Sequence, residues 1–234
     1  MKNLVVSGAS KGIGRAIVEH FAKEGFNVSF CSRNSENLNA LKERLQELYP
    51  KQVFLALVCD VSKPNEVRDF ARKSLEEFGH IDLLVNNAGV FIPGSLSEMS
   101  SEDFKLIFDT NVQSAFELTK ALLPSMIKQK AGYIFNMSSI AGLSAYPNGG
   151  AYNVSKHALT GYSKTLRNEL KDYHIKVSTV YPGATLTDSW SGVDLPEERF
   201  MPAEDIAKII FDIYQLSDRT VVEDIVLRPQ LGDI

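Results

Sequence analysis

Residues 4–14, Leu-Val-Val-Ser-Gly-Ala-Ser-Lys-Gly-Ile-Gly, decide the fold of this chain. A short apolar run, Leu4 to Ser7, leads directly into a glycine-rich loop, and a helix-period pattern follows from Ile13. The glycines permit a tight turn and let the main chain approach a pyrophosphate held at the helix N-terminus. The spacing departs from the usual Gly-x-Gly-x-x-Gly fingerprint, so this loop alone is a weak indication of a dinucleotide site.

Strand-length apolar runs and helix-period stretches alternate along the rest of the chain. Strands are predicted at 4–7, 28–31, 53–58, 81–86, 133–137, 177–181 and 221–227, and helices at 13–24, 36–48, 65–78, 102–129, 151–172 and 203–214. Strict alternation of this kind favours a parallel sheet that is covered on both faces. The predicted fold class is therefore α/β, a Rossmann-type doubly wound parallel seven-stranded sheet with helices on both faces.

We expect one domain spanning residues 1–234, since single α/β domains commonly reach this size. No internal repeat, low-complexity segment or linker divides the chain. The least regular region is Thr187 to Pro202, which is rich in serine, glycine, proline and acidic residues and precedes the last predicted helix. Insertions of this kind in a compact domain are usually functional loops or disordered segments. We interpret residues 187–202 as a substrate lid.

The composition excludes several classes of function. The 25 basic and 29 acidic residues give a net charge of −4 without a long run of either sign, so nucleic acid is not an expected partner. No apolar run has the length of a membrane span, and the N-terminus has no signal-peptide pattern. Cys31 and Cys59 lie in apolar runs, as free buried thiols of a reducing compartment do. We expect a cytoplasmic protein with no membrane partner and no metal site.

A tyrosine and a lysine at the start of predicted helix 151–172 are the strongest chemical signal in the sequence. Tyr152 and Lys156 are four residues apart, so both side chains project from the same face of the helix. A fixed positive charge lowers the pKa of a phenol from about 10, and a value of ~7 would require ~4 kcal/mol of differential interaction. Ser139 follows a strand, where its hydroxyl can hydrogen-bond a carbonyl oxygen that becomes an alkoxide. All three are candidates for catalysis.

Taken alone, the Tyr-x-x-x-Lys spacing favours a structural interpretation, because a solvated lysine and a half-buried tyrosine are common on helices. The surrounding sequence favours catalysis. Residues 131–155 contain no charged side chain but include four glycines, one proline and three serines before Ser155. Such a neutral, small-residue segment that ends in a tyrosine and a lysine is typical of a pocket lining that excludes charge.

The end of the second predicted strand bears on the choice of cofactor. An NAD-dependent enzyme of this fold places an acidic residue there, which binds the ribose hydroxyls and repels a 2′-phosphate. This chain has Ser32-Arg33-Asn34 instead, with no acid before Glu36. Arg33 can bind a phosphate through a charge-assisted fork, and Lys11 in the glycine loop can add a second cation. Each is alternatively a solvated surface charge, but together they predict NADP (NADPH) as the cofactor.

With these motifs the chain resembles the short-chain dehydrogenase/reductase family, in its single-domain branch, over nearly its whole length. The glycine motif of that family, Thr-Gly-x-x-x-Gly-x-Gly, matches residues 7–14 with serine in place of threonine. Further motifs match in the same order: Asn-Asn-Ala-Gly at 86–89, then Asn111, Ser139, Tyr152 with Lys156, and Pro182-Gly183. Six motifs in the right order are not expected by chance.

The resemblance implies a catalytic set of Tyr152, Lys156, Ser139 and Asn111 for hydride transfer between a nicotinamide and a carbonyl carbon. Tyr152 would protonate the carbonyl oxygen that Ser139 polarises, while Lys156 would lower the pKa of the tyrosine and bind the nicotinamide ribose. Asn111 would hold a water that links Lys156 to solvent, and would also kink its helix. The implied cofactor contacts are Gly8, Ser10, Lys11, Gly12, Ile13, Gly14, Ser32, Arg33, Asp60, Val61, Asn87, Ala88, Gly89, Tyr152, Lys156, Pro182, Gly183 and Thr187.

Several of these residues have a second interpretation or a further role. Asp60 follows the third predicted strand and is implied to contact adenine; alternatively it caps the next helix, as aspartate often does. Tyr146 and Trp190 are candidates to face the substrate together with Ser139, although Trp190 alternatively packs the lid against the body of the protein. No arginine or histidine obviously belongs to the pocket, which disfavours a carboxylate or phosphate substrate.

The C-terminal ending, residues 220–234, departs from the glycine-rich ending of many family members and, with Trp190, is similar to bacterial sepiapterin-reductase-like members. The resemblance implies an NADP-dependent oxidoreductase that reduces a ketone or aldehyde of a small molecule to an alcohol. Alternatives are a 3-ketoacyl reductase, a hydroxy-amino-acid dehydrogenase, and a catalytically silent dinucleotide-binding sensor or scaffold. Predicted helices 102–129 and 151–172 carry apolar residues on more than one face, which predicts a homodimer or homotetramer.

Overall fold

The computed structural model describes residues 1–190 and 192–234, and Ser191 of the predicted lid lies outside these described residues. Its strands are β1 (Asn3–Ser7), β2 (Asn27–Ser32), β3 (Phe54–Val58), β4 (Leu83–Asn86), β5 (Gly132–Met137), β6 (Ile175–Pro182) and β7 (Asp224–Leu227). Within the described residues these seven strands form one sheet in the order β3-β2-β1-β4-β5-β6-β7, and every neighbouring pair is parallel. The predicted seven-stranded parallel sheet is confirmed.

Helices cover both faces of the sheet. They are α1 (Gly12–Lys23), α2 (Ser35–Leu48), α3 (Pro64–Phe78), α4 (Ser101–Phe108), α5 (Ser114–Gln129), α6 (Gly150–Leu170) and α7 (Ala203–Tyr214). α1, α2 and α7 share one apolar core with the sheet, and α3, α5 and α6 share the other. Successive residues of β1 serve the two cores in turn, with Leu4 and Val6 in the first and Val5 in the second. This arrangement confirms the doubly wound α/β class.

One predicted helix differs from the structure. Residues 102–129 form two helices, because a π-turn at Asp109–Gln113 separates α4 from α5. In this turn the N–H of Ser114 donates to the C=O of Asp109, five residues earlier. Such π-turns occur frequently at functional sites. Here the turn contains Asn111, one of the predicted catalytic residues.

The strand order places the site. It reverses between β1 and β4, and in open α/β sheets ligands bind beyond the carboxyl ends of the strands at this switch. The glycine loop follows β1, the Asn-Asn-Ala-Gly turn follows β4, and Ser139 follows β5, so all three reach the same edge of the sheet. In residues 1–190 and 192–234, no helix combines the length and apolar character that crossing a bilayer requires.

Candidate active site

The glycine loop between β1 and α1 packs against the turn that follows β4. Gly8 has a φ of +69°, and a Cβ at this position would lie 2.8 Å from the Cα of Ala88. A Cβ at Gly14 would lie 2.3 Å from the carbonyl oxygen of Gly8, so only glycine fits at either position. The side-chain amide of Asn87 donates to the carbonyl groups of Ser7 and Gly8, at 3.0 and 2.8 Å. The two turns form one cradle where a phosphate group can approach the main chain at the start of α1.

The other predicted cofactor residues lie along the same edge of the sheet but differ in exposure. Lys11, Arg33 and Gly89 are exposed, which leaves two cations and an open glycine accessible to a ligand. The buried members are Ser10, Ser32 and Pro182, and the half-buried members are Gly12, Ile13, Val61, Ala88, Gly183 and Thr187.

The ends of β2 and β3 lie side by side, since Ser32 pairs with Val58 in the sheet. The hydroxyl of Ser32 accepts a hydrogen bond from the N–H of Asn34 at 3.2 Å, which shapes the turn into α2. Arg33 projects from this turn and forms no side-chain hydrogen bond or ion pair with any residue that the structure describes. The predicted phosphate-binding arginine is therefore available to a ligand.

Asp60 stabilises a turn rather than a helix. Its Oδ1 accepts hydrogen bonds from the N–H and the hydroxyl of Ser62, at 3.1 and 2.8 Å. The alternative that Asp60 caps α3 is wrong, because Lys63 occupies the N-cap position of that helix. Burial alone would raise the pKa of Asp60, but the hydrogen bonds from Ser62 and the charges of Lys63 and Arg33 hold it below its ordinary value. Asp60 is therefore an anion close to Arg33.

Ser139, Tyr152 and Lys156 converge beside the cradle. Tyr152 lies in the first turn of α6, and Nζ of Lys156 is 5.5 Å from the centre of its ring. The Oγ of Ser139 accepts from the N–H of Ala141 at 3.2 Å and donates to the carbonyl of Pro182 at 3.5 Å. Ser139 also lies close enough to the Tyr152 side chain to lower the pKa of that phenol. The structure thus brings together three of the four residues predicted for catalysis.

The pKa of Tyr152 lies above its ordinary value, because desolvation of the phenol raises it more than the neighbouring Ser139 hydroxyl lowers it. This direction is opposite to the one expected from a lysine four residues away. The reason lies in where the lysine points: the Nζ of Lys156 donates to the carbonyl of Met137 at 2.7 Å. A phenol that stays protonated at neutral pH is the form that a general acid requires.

Lys156 is itself an unusual residue, since only 4% of it is exposed. Burial lowers the pKa of its ammonium from 10.5 to about 8. No carboxylate in the described part of the chain forms an ion pair with it. A lysine that is buried without a counter-ion costs stability, which indicates a function for the group.

Asn111 joins the π-turn to both neighbouring parts of the site. Its Oδ1 accepts from the N–H of Val90 at 2.7 Å, and its Nδ2 donates to the carbonyl of Val90 at 3.0 Å. The same Nδ2 donates to the Oγ of Ser155 at 3.0 Å, and that hydroxyl donates to the carbonyl of Tyr152 at 2.8 Å. One side chain therefore fixes the loop after β4 and the helix that carries the tyrosine. Sequence reasoning missed Ser155, because a lone serine on a helix carries no signal.

The side chains of Asn111 and Lys156 border the same small space next to Gly89. A Cβ on Gly89 would lie 3.5 Å from both the Oδ1 of Asn111 and the Nζ of Lys156. Because Gly89 is exposed, this space opens towards solvent. The water-holding role of Asn111 stays a prediction, and the shared opening is where such a water would sit.

The substrate side of the site contains a residue that the sequence did not suggest. The ring of Phe91 lies 5.1 Å from the ring of Tyr152 at an angle of 79°, an edge-to-face contact. Tyr146, which was predicted to face the substrate, is close enough to Tyr152 for the charges of the two phenols to interact, and burial raises its pKa to about 12. An aromatic residue shortly after the Asn-Asn-Ala-Gly motif was the only signal available for Phe91.

The predicted lid reaches the glycine loop. A Cβ at Gly12 would lie 3.0 Å from the Cγ2 of Thr187, and the Nζ of Lys11 forms an exposed ion pair with Asp188 at 2.8 Å. Trp190 packs on Phe200 of the same segment, with the ring centres 5.3 Å apart. This contact lies within the predicted lid, so it is not the alternative in which Trp190 packs the lid against the body; contact of Trp190 with a substrate stays a prediction.

Several known proteins are similar to this chain in sequence and in fold. The chain is 36% identical to the sepiapterin reductase of Chlorobaculum tepidum, over 99% of this chain and 97% of that protein. It is 37% identical to a 3-oxoacyl-acyl-carrier-protein reductase of Chlamydia trachomatis, over 80% of this chain and 75% of that protein. An alcohol dehydrogenase of Thermococcus sibiricus, solved with 5-hydroxy-NADP, has a TM-score of 0.90, 29% identity, and coverage of 98% of this chain and 97% of that chain.

The fold and the site, taken with these relatives, define an oxidoreductase that uses a nicotinamide cofactor and acts on the carbonyl or hydroxyl group of a small molecule. A family model described as short chain dehydrogenase matches residues 2–197. The chain belongs to the short chain dehydrogenase family. The alternative of a catalytically silent sensor or scaffold is therefore not supported.

Proposed function

We propose that this protein reduces a ketone or aldehyde to an alcohol with NADPH. One observation carries the proposal: the half-buried phenol of Tyr152, whose pKa is raised by burial, lies with the Ser139 hydroxyl and the Lys156 ammonium around it. A bound NADPH supplies the hydride. Ser139 orients and polarises the carbonyl, and Tyr152 gives its proton to the oxygen as negative charge develops there.

Lys156 and Asn111 support this proton transfer. The Lys156 ammonium binds the ribose of the nicotinamide nucleoside and stabilises the negative charge left on Tyr152 after the proton has moved. The space beside Gly89, which both side chains border, holds the water that returns a proton from solvent. The hydrogen bonds from Asn111 to Val90 and Ser155 support this role, because they hold the borders of that space in place.

The cofactor is NADP rather than NAD. Arg33 is exposed at the end of β2 with no ion-pair partner among the described residues, and Lys11 lies in the neighbouring glycine loop. Two cations that flank the adenosine ribose favour a 2′-phosphate. The L-sorbose reductase of Gluconobacter frateurii, solved with NADPH and L-sorbose, supports this choice, with a TM-score of 0.90, 28% identity, and coverage of 97% of this chain and 95% of that chain.

Among reductases, a sepiapterin-reductase-like activity is favoured over a 3-ketoacyl reductase. The match to the sepiapterin reductase covers 99% of the chain, whereas the match to the chlamydial 3-oxoacyl reductase covers 80%. The C-terminal ending at 220–234 and Trp190 of the lid support the first relative, as the sequence indicated. A hydroxy-amino-acid dehydrogenase has no specific observation in its favour.

The proposal includes the organisation of the protein. Residues 1–234 form a single domain, and residues 187–202 act as a lid that closes over nicotinamide and substrate. Exposed apolar side chains on α4, α5 and α6, among them Phe104, Phe116 and Val154, support association into a homodimer or homotetramer. Cys31 and Cys59 are free and buried, which supports a cytoplasmic location.

NADPH oxidation by the purified protein, measured with a panel of carbonyl compounds, tests the function. The panel includes pterin side-chain ketones, ketoacyl thioesters, simple ketones and aldehydes. We expect oxidation that depends on the carbonyl compound and disappears in Tyr152→Phe. Absence of carbonyl-dependent oxidation across the whole panel, in protein shown to bind NADPH, would contradict the proposal.

A further inference from the structure

The ring of Phe91 lies beside Tyr152, the proposed acid, and the exposed surface around these two residues is called the cleft below. One edge contact joins it to Tyr152, with ring centres 5.1 Å apart. Even so, 43% of Phe91 remains exposed, so much of its ring surface is free for another molecule. A carbonyl compound that reaches the phenol oxygen of Tyr152 therefore has an aromatic surface beside its reacting group.

The loop that carries Phe91 is anchored on both sides. The residue before it, Val90, has its N–H and its C=O bound to the amide of Asn111, at 2.7 and 3.0 Å. Further along, the N–H of Gly94 donates to the carbonyl of Asn148 at 3.0 Å, which joins this loop to the loop that carries Tyr146. The position of the Phe91 ring is thereby set by the same side chain that holds the catalytic helix.

Both loops lack charge. Residues 86–97 and residues 131–155 contain no Asp, Glu, Lys or Arg. The exposed large apolar side chains of these ranges include Phe91 at 43%, Leu143 at 45% and Tyr146 at 38%. Lys156 is turned to the Met137 carbonyl at 2.7 Å. A charged group on the substrate would lose its hydration here without gaining a counter-ion from either loop.

From these observations we infer that the cleft selects neutral carbonyl compounds that carry a flat aromatic ring next to the carbonyl group, and that Phe91 sets this preference. The inference rests on the proposed reductase function and names the substrate class of the same site. Two rings in contact attract each other beyond the burial of their area, and a saturated ring of similar size does not gain this attraction.

Two ketones of matched size test the role of Phe91: acetophenone and cyclohexyl methyl ketone. Because the two differ in intrinsic reactivity, the informative quantity is the change in each when Phe91 is replaced by leucine. We expect Phe91→Leu to lower kcat/KM for acetophenone about fivefold, mainly through KM, and to change the value for cyclohexyl methyl ketone less than about twofold. Tyr173→Leu, at an exposed aromatic residue just after α6 and outside both loops, is the matched control and should change neither ketone.

A third ketone, 4-acetylbenzoate, tests the exclusion of charge. The parent protein should use it at least ~10-fold less efficiently than acetophenone, and Phe91→Arg should reduce that difference by supplying a counter-ion. NADPH binding by every variant, measured by fluorescence, establishes that each is folded. Equal loss of both neutral ketones in Phe91→Leu, or a parent preference for 4-acetylbenzoate, would overturn the inference.

The two proposals fail in different ways. If none of the three ketones, nor any other carbonyl compound, is reduced in a manner that depends on Tyr152, the reductase function itself is wrong. If all three are reduced with dependence on Tyr152 but Phe91→Leu leaves their ratios unchanged, the function stands and the aromatic preference is wrong.

Discussion

Two regions of the site, the candidate catalytic residues and the proposed lid, are held in place by different kinds of interaction. On the catalytic side, the side chains of Ser139, Lys156 and Asn111 each bind main-chain groups of neighbouring segments, and Lys156 and Asn111 are buried. On the lid side, Lys11 and Asp188 form an ion pair in which both side chains are more than 60% exposed.

The proposed lid, residues 187–202, is attached to the rest of the protein mainly at its ends. The N–H of Leu186 donates to the carbonyl of Met201 at 2.9 Å, and Thr185 bridges to Met201. Between these points Trp190 packs on Phe200 of the same segment. The candidate catalytic groups are therefore fixed before any ligand binds, whereas we expect the proposed lid to adjust to the cofactor and to the substrate.

The largest effect should come from removing the hydroxyl of Tyr152, the proposed proton donor. Tyr152→Phe keeps the ring and its contact with Phe91, so we expect turnover to fall at least ~10²-fold with NADPH affinity near normal. Steady-state kinetics and fluorescence titration with NADPH measure the two quantities. Tyr162→Phe makes the same chemical change further along α6 and should leave turnover unchanged. Retained turnover in Tyr152→Phe would remove the tyrosine from the mechanism.

The next effect concerns the cofactor at the end of β2. We expect NADPH to be preferred over NADH by at least ~10²-fold in kcat/KM, since two charge-assisted contacts contribute ~3 kcal/mol. The double variant Ser32→Asp, Arg33→Gln should reverse this preference, because it supplies an acid for the ribose hydroxyls and removes a cation. Arg72→Gln, which removes an exposed arginine from α3, is the control. Equal use of NADH by the parent protein would contradict this view of the ribose pocket.

The buried charge of Lys156 should lower the free energy of unfolding of the protein. Its pKa of about 8 in the folded protein lies below the ordinary 10.5, so burial of the charged form destabilises the fold at every pH below 8 by about 3 kcal/mol. This cost decreases as the pH rises from 8 to 10.5. Lys156→Met should therefore raise the free energy of unfolding at pH 7, lose activity, and bind NADPH more weakly.

Denaturant unfolding of Lys156→Met and its parent at several pH values measures this cost. The difference in unfolding free energy should shrink between pH 8 and 10.5. Lys164→Met, at an exposed lysine of the same helix, should show neither the gain nor the pH dependence. A Lys156→Met variant that is less stable than its parent at pH 7 would show that the bond to Met137 outweighs the buried charge.

Hydrogen exchange compares the two sides directly. Residues 187–202 should exchange faster than α6 without ligands and become several-fold more protected with NADP and a carbonyl ligand, because the segment orders over them. The exchange of α6 should change little. Equal exchange of the segment with and without ligands would count against lid closure.

The smallest effect should come from Asp188→Asn. The exposed pair with Lys11 contributes at most ~1 kcal/mol, so releasing the lysine for the 2′-phosphate should tighten NADPH binding by less than ~5-fold. The change should vanish at high salt and be absent for NADH. Asp194→Asn, at another exposed acid of the lid, should have no effect. Weaker NADPH binding in Asp188→Asn would indicate that the pair holds the cofactor instead of competing with it.

The order of strands and helices could be predicted because alternating apolar runs are local features of the sequence. A kink at Asn111 was implied by the family resemblance, but the extent of the π-turn at Asp109–Gln113 has no local signal, and its Asn111 bonds to Val90 and Ser155, which are distant in the chain. The helix-period pattern simply continues through it.

The sequence predicted those residues of the site that belong to recognisable motifs. The convergence of Ser139, Tyr152 and Lys156 follows from the place of Ser139 after β5 and from the four-residue spacing of Tyr152 and Lys156 on α6. The direction of the Tyr152 pKa was wrong, because burial and the hydrogen bond from Lys156 to Met137 are set by tertiary packing. Phe91 was missed for a related reason: a single aromatic residue in a loop has no period, and only its contact with Tyr152 gives it meaning.

The anchoring of the loop after β4 has a consequence for how this enzyme can change. Asn111 hydrogen-bonds to the main chain of Val90 at the start of this loop. Phe91, the next residue, contacts Tyr152 through its ring and not through a hydrogen bond. Substitutions between positions 91 and 96, apart from the anchoring Gly94, can therefore alter which molecules are accepted while the chemistry is left intact. A mutant library restricted to these positions, with Val90 and Asn111 unchanged, should therefore vary the substrate specificity without altering the catalytic residues.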